Sequence, residues 1–126
     1  MSNLLIGSAL LNNLTTNGTV TTYYGKAPQS ATPPYCLIYF VTSNDDYTFN
    51  DNGINADYQI KVISNKNFPE EAIRLYQSQH VLTQDANLSI PGYKLMRIRR
   101  VSTFEFEDQF HYWNVGGLYN LDVWKT

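Results

Sequence analysis

The side chains able to do chemistry in this sequence are few and scattered. His80 and His111 stand far apart, and neither is followed at the i+3 to i+5 spacing of a metal site by a second histidine or a cysteine. The lone Cys36 lies in an apolar stretch, where it completes no internal disulfide and reads as a buried small hydrophobe. Carboxylates pair at Asp45-Asp46, Glu70-Glu71 and Glu105 with Glu107. An acid/base pair needs two carboxyls held in one cleft with separated pKa values. Here the first pair falls in a polar stretch, the second at a helix start, and the third on one outward face of a strand. None of the nucleotide-binding, nucleophile-elbow or zinc-protease signatures occurs, and Gly116-Gly117 reads as entry to a strand. The residues point away from catalysis, and neither cofactor nor metal is expected.

What remains is suited to contact. Lys94, Arg97, Arg99 and Arg100 form the one concentrated basic cluster. Simple alternation puts Arg97 and Arg99 on one face and Lys94 and Arg100 on the other, unless a bulge realigns them. Arginine favours interface ion pairs, so partners are expected in Glu105, Glu107 or Asp108, within one chain or across subunits; the other reading is electrostatic contact with DNA in a lumen or with acidic residues of a neighbouring ring. The run Phe110, His111, Tyr112, Trp113 sits between a charged break and a glycine pair, a setting typical of aromatic anchors, although half of these side chains could equally belong to the core. Tyr47 and Phe49, in a stretch dense in Asn and Asp, are a second candidate contact.

Composition agrees with assembly. Ten Tyr and six Phe in 126 residues are more aromatics than one small core absorbs, and such residues are enriched at interfaces. A net charge of −2 with 16% charged residues lacks the positive field of a dedicated nucleic-acid binder. No apolar stretch is long enough to span a membrane, and the N-terminus lacks the basic leader of a secretion signal. Length favours one domain, residues 1–126.

These side chains need a frame. Ser2 or Asn3 caps a short helix with a stripe of Leu4, Leu5, Ala9 and Leu11, ended by the Asn/Thr-rich run from Asn12 to Gly18. A short strand follows through Val20 to Tyr24. After the Tyr23-Tyr24-Gly25 turn and Pro33-Pro34, the run from Tyr35 to Thr42 reads as a strand apolar on both faces. Tyr35, Leu37, Tyr39 and Val41 point one way, and Cys36, Ile38 and Phe40 the other. Helices would cover one face and a second subunit the other. Ser43 to Asn55 reads as a loop. Asp57 to Val62 alternates as a half-buried strand, with Tyr58, Ile60 and Val62 inward. A helix with Pro69 in its first turn and Glu70-Glu71 near its positive end packs through Phe68, Ala72, Leu75, Tyr76, Gln79 and Leu82. After the Ile90-Pro91-Gly92 turn, Tyr93 to Phe106 is a long strand bent near Arg99-Arg100. An irregular aromatic segment and a last strand opened by Gly116-Gly117 close the chain. The sum is an α+β fold, a mixed and mainly antiparallel sheet packed by one central amphipathic helix and a short N-terminal helix.

The order of these pieces, with Ala27-Pro28-Gln29, Pro34-Tyr35 and its strand, and Tyr58-Gln59-Ile60-Lys61-Val62, resembles the tail-completion (tail-terminator) family of long-tailed bacteriophages. The resemblance spans nearly the whole chain and implies a structural virion protein. It would form a homohexameric ring at the head-proximal end of the tail tube, stop tube polymerisation and join the tail to the neck. Implied partners are further copies of the chain, the major tail tube protein and a neck or head-completion protein. DNA would pass through the lumen without specific binding, and no membrane is involved. The expected location is the tail–neck junction of the virion, reached from the host cytoplasm. Two other readings stay open: a different neck or tail ring component, such as a head-closure adaptor or tube subunit, or a small-molecule-binding α+β domain.

Overall fold

The computed structural model describes residues 2–18, 20–46, 53–84, 88, 90 and 92–125. In chain order the elements are α1 (Ser2–Asn17), β1 (Thr22–Tyr24), β2 (Tyr35–Asp46), β3 (Gly53–Ser64), α2 (Glu70–Gln84), β4 (Tyr93–Glu107) and β5 (Trp113–Lys125). The strands form one sheet in the order β1-β2-β3-β5-β4. The β1–β2 pair is parallel and the others are antiparallel. The chain is therefore α+β with a mixed, mainly antiparallel sheet. Among the described residues no helix is long and apolar enough to cross a membrane.

The alternation in β3 sets the inner face. Tyr58, Ile60 and Val62 are fully buried, and register places them beside Ile38 and Cys36 of β2 and Tyr119 and Val115 of β5. Both helices pack on that face. Ala72, Leu75 and Tyr76 of α2 join Ile6, Leu10 and Leu14 of α1 in a single core. Burial of each such aliphatic side chain contributes roughly 1.5–3 kcal/mol, which fixes both helices to one side of the sheet.

Several boundaries differ from the sequence expectation, each for a local reason. α1 is not short: it runs on through the Asn/Thr stretch, and its buried stripe is Ile6, Leu10 and Leu14. The asparagines expected to end it serve it instead. Asn13 Nδ2 donates to the Leu82 carbonyl of α2 at 3.2 Å, and Asn17 Nδ2 donates to Asn13 Oδ1 at 3.1 Å. Phe68 does not join the buried side of α2, because it precedes the first helical turn and is 68% exposed.

The described residues of the expected loop from Ser43 to Asn55, which are 43–46 and 53–55, are strand. β2 continues to Asp46 and β3 begins at Gly53, paired residue by residue despite the poor β-propensity of Asn and Asp. Trp113 starts β5, so the two glycines lie within the strand rather than at its entry. An alanine Cβ at Gly116 would stand 2.4 Å from the Ile60 carbonyl, and one at Gly117 would stand 2.4 Å from the Tyr76 hydroxyl. The glycines let β3 and α2 approach β5 closely.

Candidate assembly surface

With both helices on one face, neither crosses the other. That open face changes character along the strands. At one end Tyr23 and Tyr35 meet edge to face at 5.9 Å, and Leu37 and Ile63 are buried between neighbouring side chains. The Lys61 ammonium lies 5.7 Å from the centre of the Tyr39 ring, and burial lowers its pKa. The apolar second face of β2 is thus covered in part by its own sheet neighbours. Val41 stands at a bulge, 47% exposed.

Toward the other end the face is polar and closely bonded. Asn55 and Asn120 exchange amide hydrogen bonds of 3.1 and 2.7 Å. Asn120 Nδ2 also donates to Asp57 at 2.8 Å, and Asn55 Nδ2 to Asp122 at 2.8 Å. Arg97 Nη2 closes the chain of contacts on Asp122 at 3.2 Å. The alternation of Asn and Asp in β3 and β5 was visible in the sequence, but not which strands would be neighbours.

The basic cluster is divided differently from the alternation expected of β4. A register shift at Met96 turns Lys94 onto the open face with Arg97 and Arg99, in rows with Trp124, Asp122 and Asn120 of β5. A second shift, at Val101, follows Arg100, which lies on the helix face. Arg97 bonds Asp122, not the acidic residues after it in β4. Arg100 Nη1 instead reaches the Tyr76 hydroxyl at 3.4 Å.

That hydroxyl belongs to a polar cluster under α2. Tyr76 and Tyr119 hydroxyls are 2.6 Å apart, and His80 Nδ1 lies 2.8 Å from Tyr119 Oη. Burial, then the contact with Tyr76, pushes the Tyr119 pKa well above its ordinary value. A groove of about 370 Å³ opens beside it, lined by Ile73, Tyr76, Gln77, Arg100 and Thr103 among others. Among the described residues no three His, Cys, Asp or Glu side chains gather as a metal site.

The aromatic segment forms the β4–β5 turn. Asp108 Oδ1 accepts from the amides of Phe110 at 2.9 Å and Tyr112 at 3.1 Å, while Oδ2 accepts from Asn114 Nδ2 at 3.0 Å. Burial opposes ionisation of Asp108, but these hydrogen bonds prevail and hold its carboxyl below the ordinary range. The turn carries His111 at φ 65° and leaves Phe110 67% exposed. Tyr112 and Trp113 are half-buried, and Trp113 Nε1 donates to the Asn67 carbonyl at 3.3 Å. Asp108 as organiser of this turn escaped the sequence reading, where it looked like a strand break. Tyr47 and Phe49 lie outside the described residues. The strand ends flanking them, Asp46 and Gly53, are at the opposite end of the sheet from Phe110.

No protein-family model matches this chain, and no curated protein matches it by sequence. The fold does match. A chain from the virion of a native gene transfer agent particle superposes with a TM-score of 0.78 at 12% identity, covering 98% of this chain and 97% of that one. The fold is one found in a virion. A second solved chain superposes with a TM-score of 0.58 at 14% identity over 96% of each.

Proposed function

We propose that this chain is a structural protein of a phage-like virion and acts as a tail terminator. Copies would close into a homohexameric ring on the head-proximal end of the tail tube, end its growth, and bind the neck or head-completion protein above. The observation that carries this reading is the end-to-end likeness to a chain of a gene transfer agent virion. Its work is assembly rather than catalysis. Supporting it, the sheet has an aromatic turn at one end and the β2–β3 hairpin at the other. A ring between a tube and a neck needs two such different end surfaces. Phe110 and His111 are assigned to one axial contact, and the end of the sheet where β2 stops at Asp46 and β3 starts at Gly53 to the other.

Side-to-side contacts in a ring are heterologous and must close by rotation. A stable contact of this kind buries on the order of 1,600 Å². The chain's net charge of −2 suits a lumen that lets DNA pass without gripping it. Light scattering on the purified protein tests the reading. A discrete species near six times the 14.5 kDa subunit is the expected result. Open-ended growth would make it a tube subunit, and a single-copy species at all concentrations would count against a ring that forms by itself.

A further inference from the structure

The sheet has two free edges, and they are opposite in charge. β4 is outermost on one side, and along it no described strand pairs beyond β5. On the other side, β1 pairs only with Cys36 to Ile38. The outer edge of β2 from Tyr39 to Asp46 is therefore without a strand partner among the described residues. β4 carries Lys94, Arg97, Arg99 and Arg100, four of the nine Lys and Arg residues, before its first acidic residue at Glu105. The chain from Ala27 to Ile60 has no Lys or Arg at all, while β2 ends in Asp45 and Asp46.

The two edges also stand level. Register aligns Asp46, Gly53, Trp124 and Lys94 in one row across the sheet. Asn44, Asn55, Asp122 and Arg97 form the next, and Thr42, Asp57, Asn120 and Arg99 another. Three successive antiparallel pairings make β4 antiparallel to β2. A second copy placed beside the first, without a shift along the strands, thus brings its β2 edge antiparallel to β4, acidic against basic. Exposed apolar side chains mark both edges: Phe40 and Val41 on β2, Met96 and Val101 on β4. Charges and bulges normally guard a free edge against pairing, but that guard fails against an edge of the opposite charge.

We infer that β4 of one copy pairs with the β2 edge, Tyr39–Asp46, of the next, so that one continuous sheet runs around the ring. This inference rests on the ring reading above and names its side-to-side contact. The contact is heterologous and level, as closure requires.

Two variants test it. Lys94→Glu/Arg99→Glu reverses the β4 edge and spares the Arg97–Asp122 pair, while Asp45→Lys/Asp46→Lys reverses the β2 edge. Each variant alone is expected to fall about sixfold in mass, to the single subunit. An equimolar mixture restores the ring, because contacts between unlike variants join either two natural edges or two reversed ones, and each again sets acidic against basic. Rings in either variant alone, or none in the mixture, overturn the pairing. Circular dichroism checks that each variant folds. Should either fail to fold, Thr42→Cys/Arg99→Cys in the otherwise natural chain decides: oxidation gives a ladder of linked copies if the edges meet and single copies if they do not. A natural ring that survives both reversals defeats only this pairing. A natural chain that never forms a ring defeats the ring reading as well.

Discussion

The Tyr76 and Tyr119 hydroxyls meet at 2.6 Å beneath α2, joining the central helix to β5 through a buried hydrogen bond. Tyr119 also meets His80 Nδ1 at 2.8 Å, and Tyr76 accepts from Arg100 of β4 at 3.4 Å. One cluster therefore ties α2 to two strands. Removing one hydroxyl leaves a buried polar partner unsatisfied, which costs about 1–3 kcal/mol.

Tyr119→Phe and Tyr76→Phe are each expected to lose stability in that range, the first more because its partners Tyr76 and His80 are buried and half-buried, whereas Arg100, a partner of Tyr76, is exposed and can turn to water. The double variant should lose less than the sum, since the second change removes a group already left without its partner. Urea unfolding of the three variants measures this. Strict additivity would show that the cluster does not act as a unit.

Gly116 and Gly25 separate two reasons for having glycine. An alanine Cβ at Gly116 would meet the Ile60 carbonyl at 2.4 Å and the Lys61 Cα at 2.7 Å, and backbone on the next strand cannot rotate away. Gly25 has open space around it but a φ of +86°. Gly116→Ala should lose about 1–3 kcal/mol or more through overpacking. Gly25→Ala should lose only about 1–2 kcal/mol of left-handed strain. Thermal unfolding orders them, and an equal loss would mean that β3 and β5 separate easily.

Periodicity made the sheet legible where it was strong. Tyr58, Ile60 and Val62 alternate with polar residues, and they form the inner face as expected. The α2 residues Ala72, Leu75, Tyr76 and Gln79 recur at helical spacing and are buried. The sequence misled where propensity and tertiary structure disagreed. Asn13 and Asn17 discourage helix in isolation, but hydrogen bonds to Leu82 and within α1 reverse that preference. Ser43 to Asp46 looks like loop by composition, and pairing with β3 makes it strand. The faces of the basic cluster depended on a one-residue bulge at Met96, which no alternation pattern reveals. The Asn55–Asn120 contact joins residues 65 apart in sequence and needed the strand order first.

That contact carries the third prediction. Asn120 is 8% exposed although it lies on the open face, and it bonds both Asn55 and Asp57. Asn120→Ala takes a hydrogen-bond partner from Asn55 and from Asp57 at once and should cost about 1–3 kcal/mol in the single subunit. Leu118, its neighbour on that face, is half-buried and makes no such bonds. Leu118→Ala should therefore change stability through packing alone, without the loss of specific protection at Asn55. Amide hydrogen exchange along β3 tells them apart: faster exchange around Asn55 in Asn120→Ala only is the expected outcome.

Cys36 supplies a pH dependence whose sign follows from burial. Enclosure in the core pushes its thiol from 9.0 up to about 11, against smaller opposing contributions from Gln79 and Thr22. The folded state thus holds its proton more tightly than the unfolded chain. The stability this gives is complete below pH 9 and is lost as pH rises toward about 11. Two pKa units correspond to roughly 3 kcal/mol. Cys36→Ala lacks this term, so the natural chain's advantage over the variant should shrink across that window. Tyrosines titrate in both proteins and drop out of the difference. A thiol reagent at pH 8 should label the natural chain only after denaturation. Rapid labelling of the folded protein, or an advantage that stays constant with pH, would show that Cys36 is open to solvent.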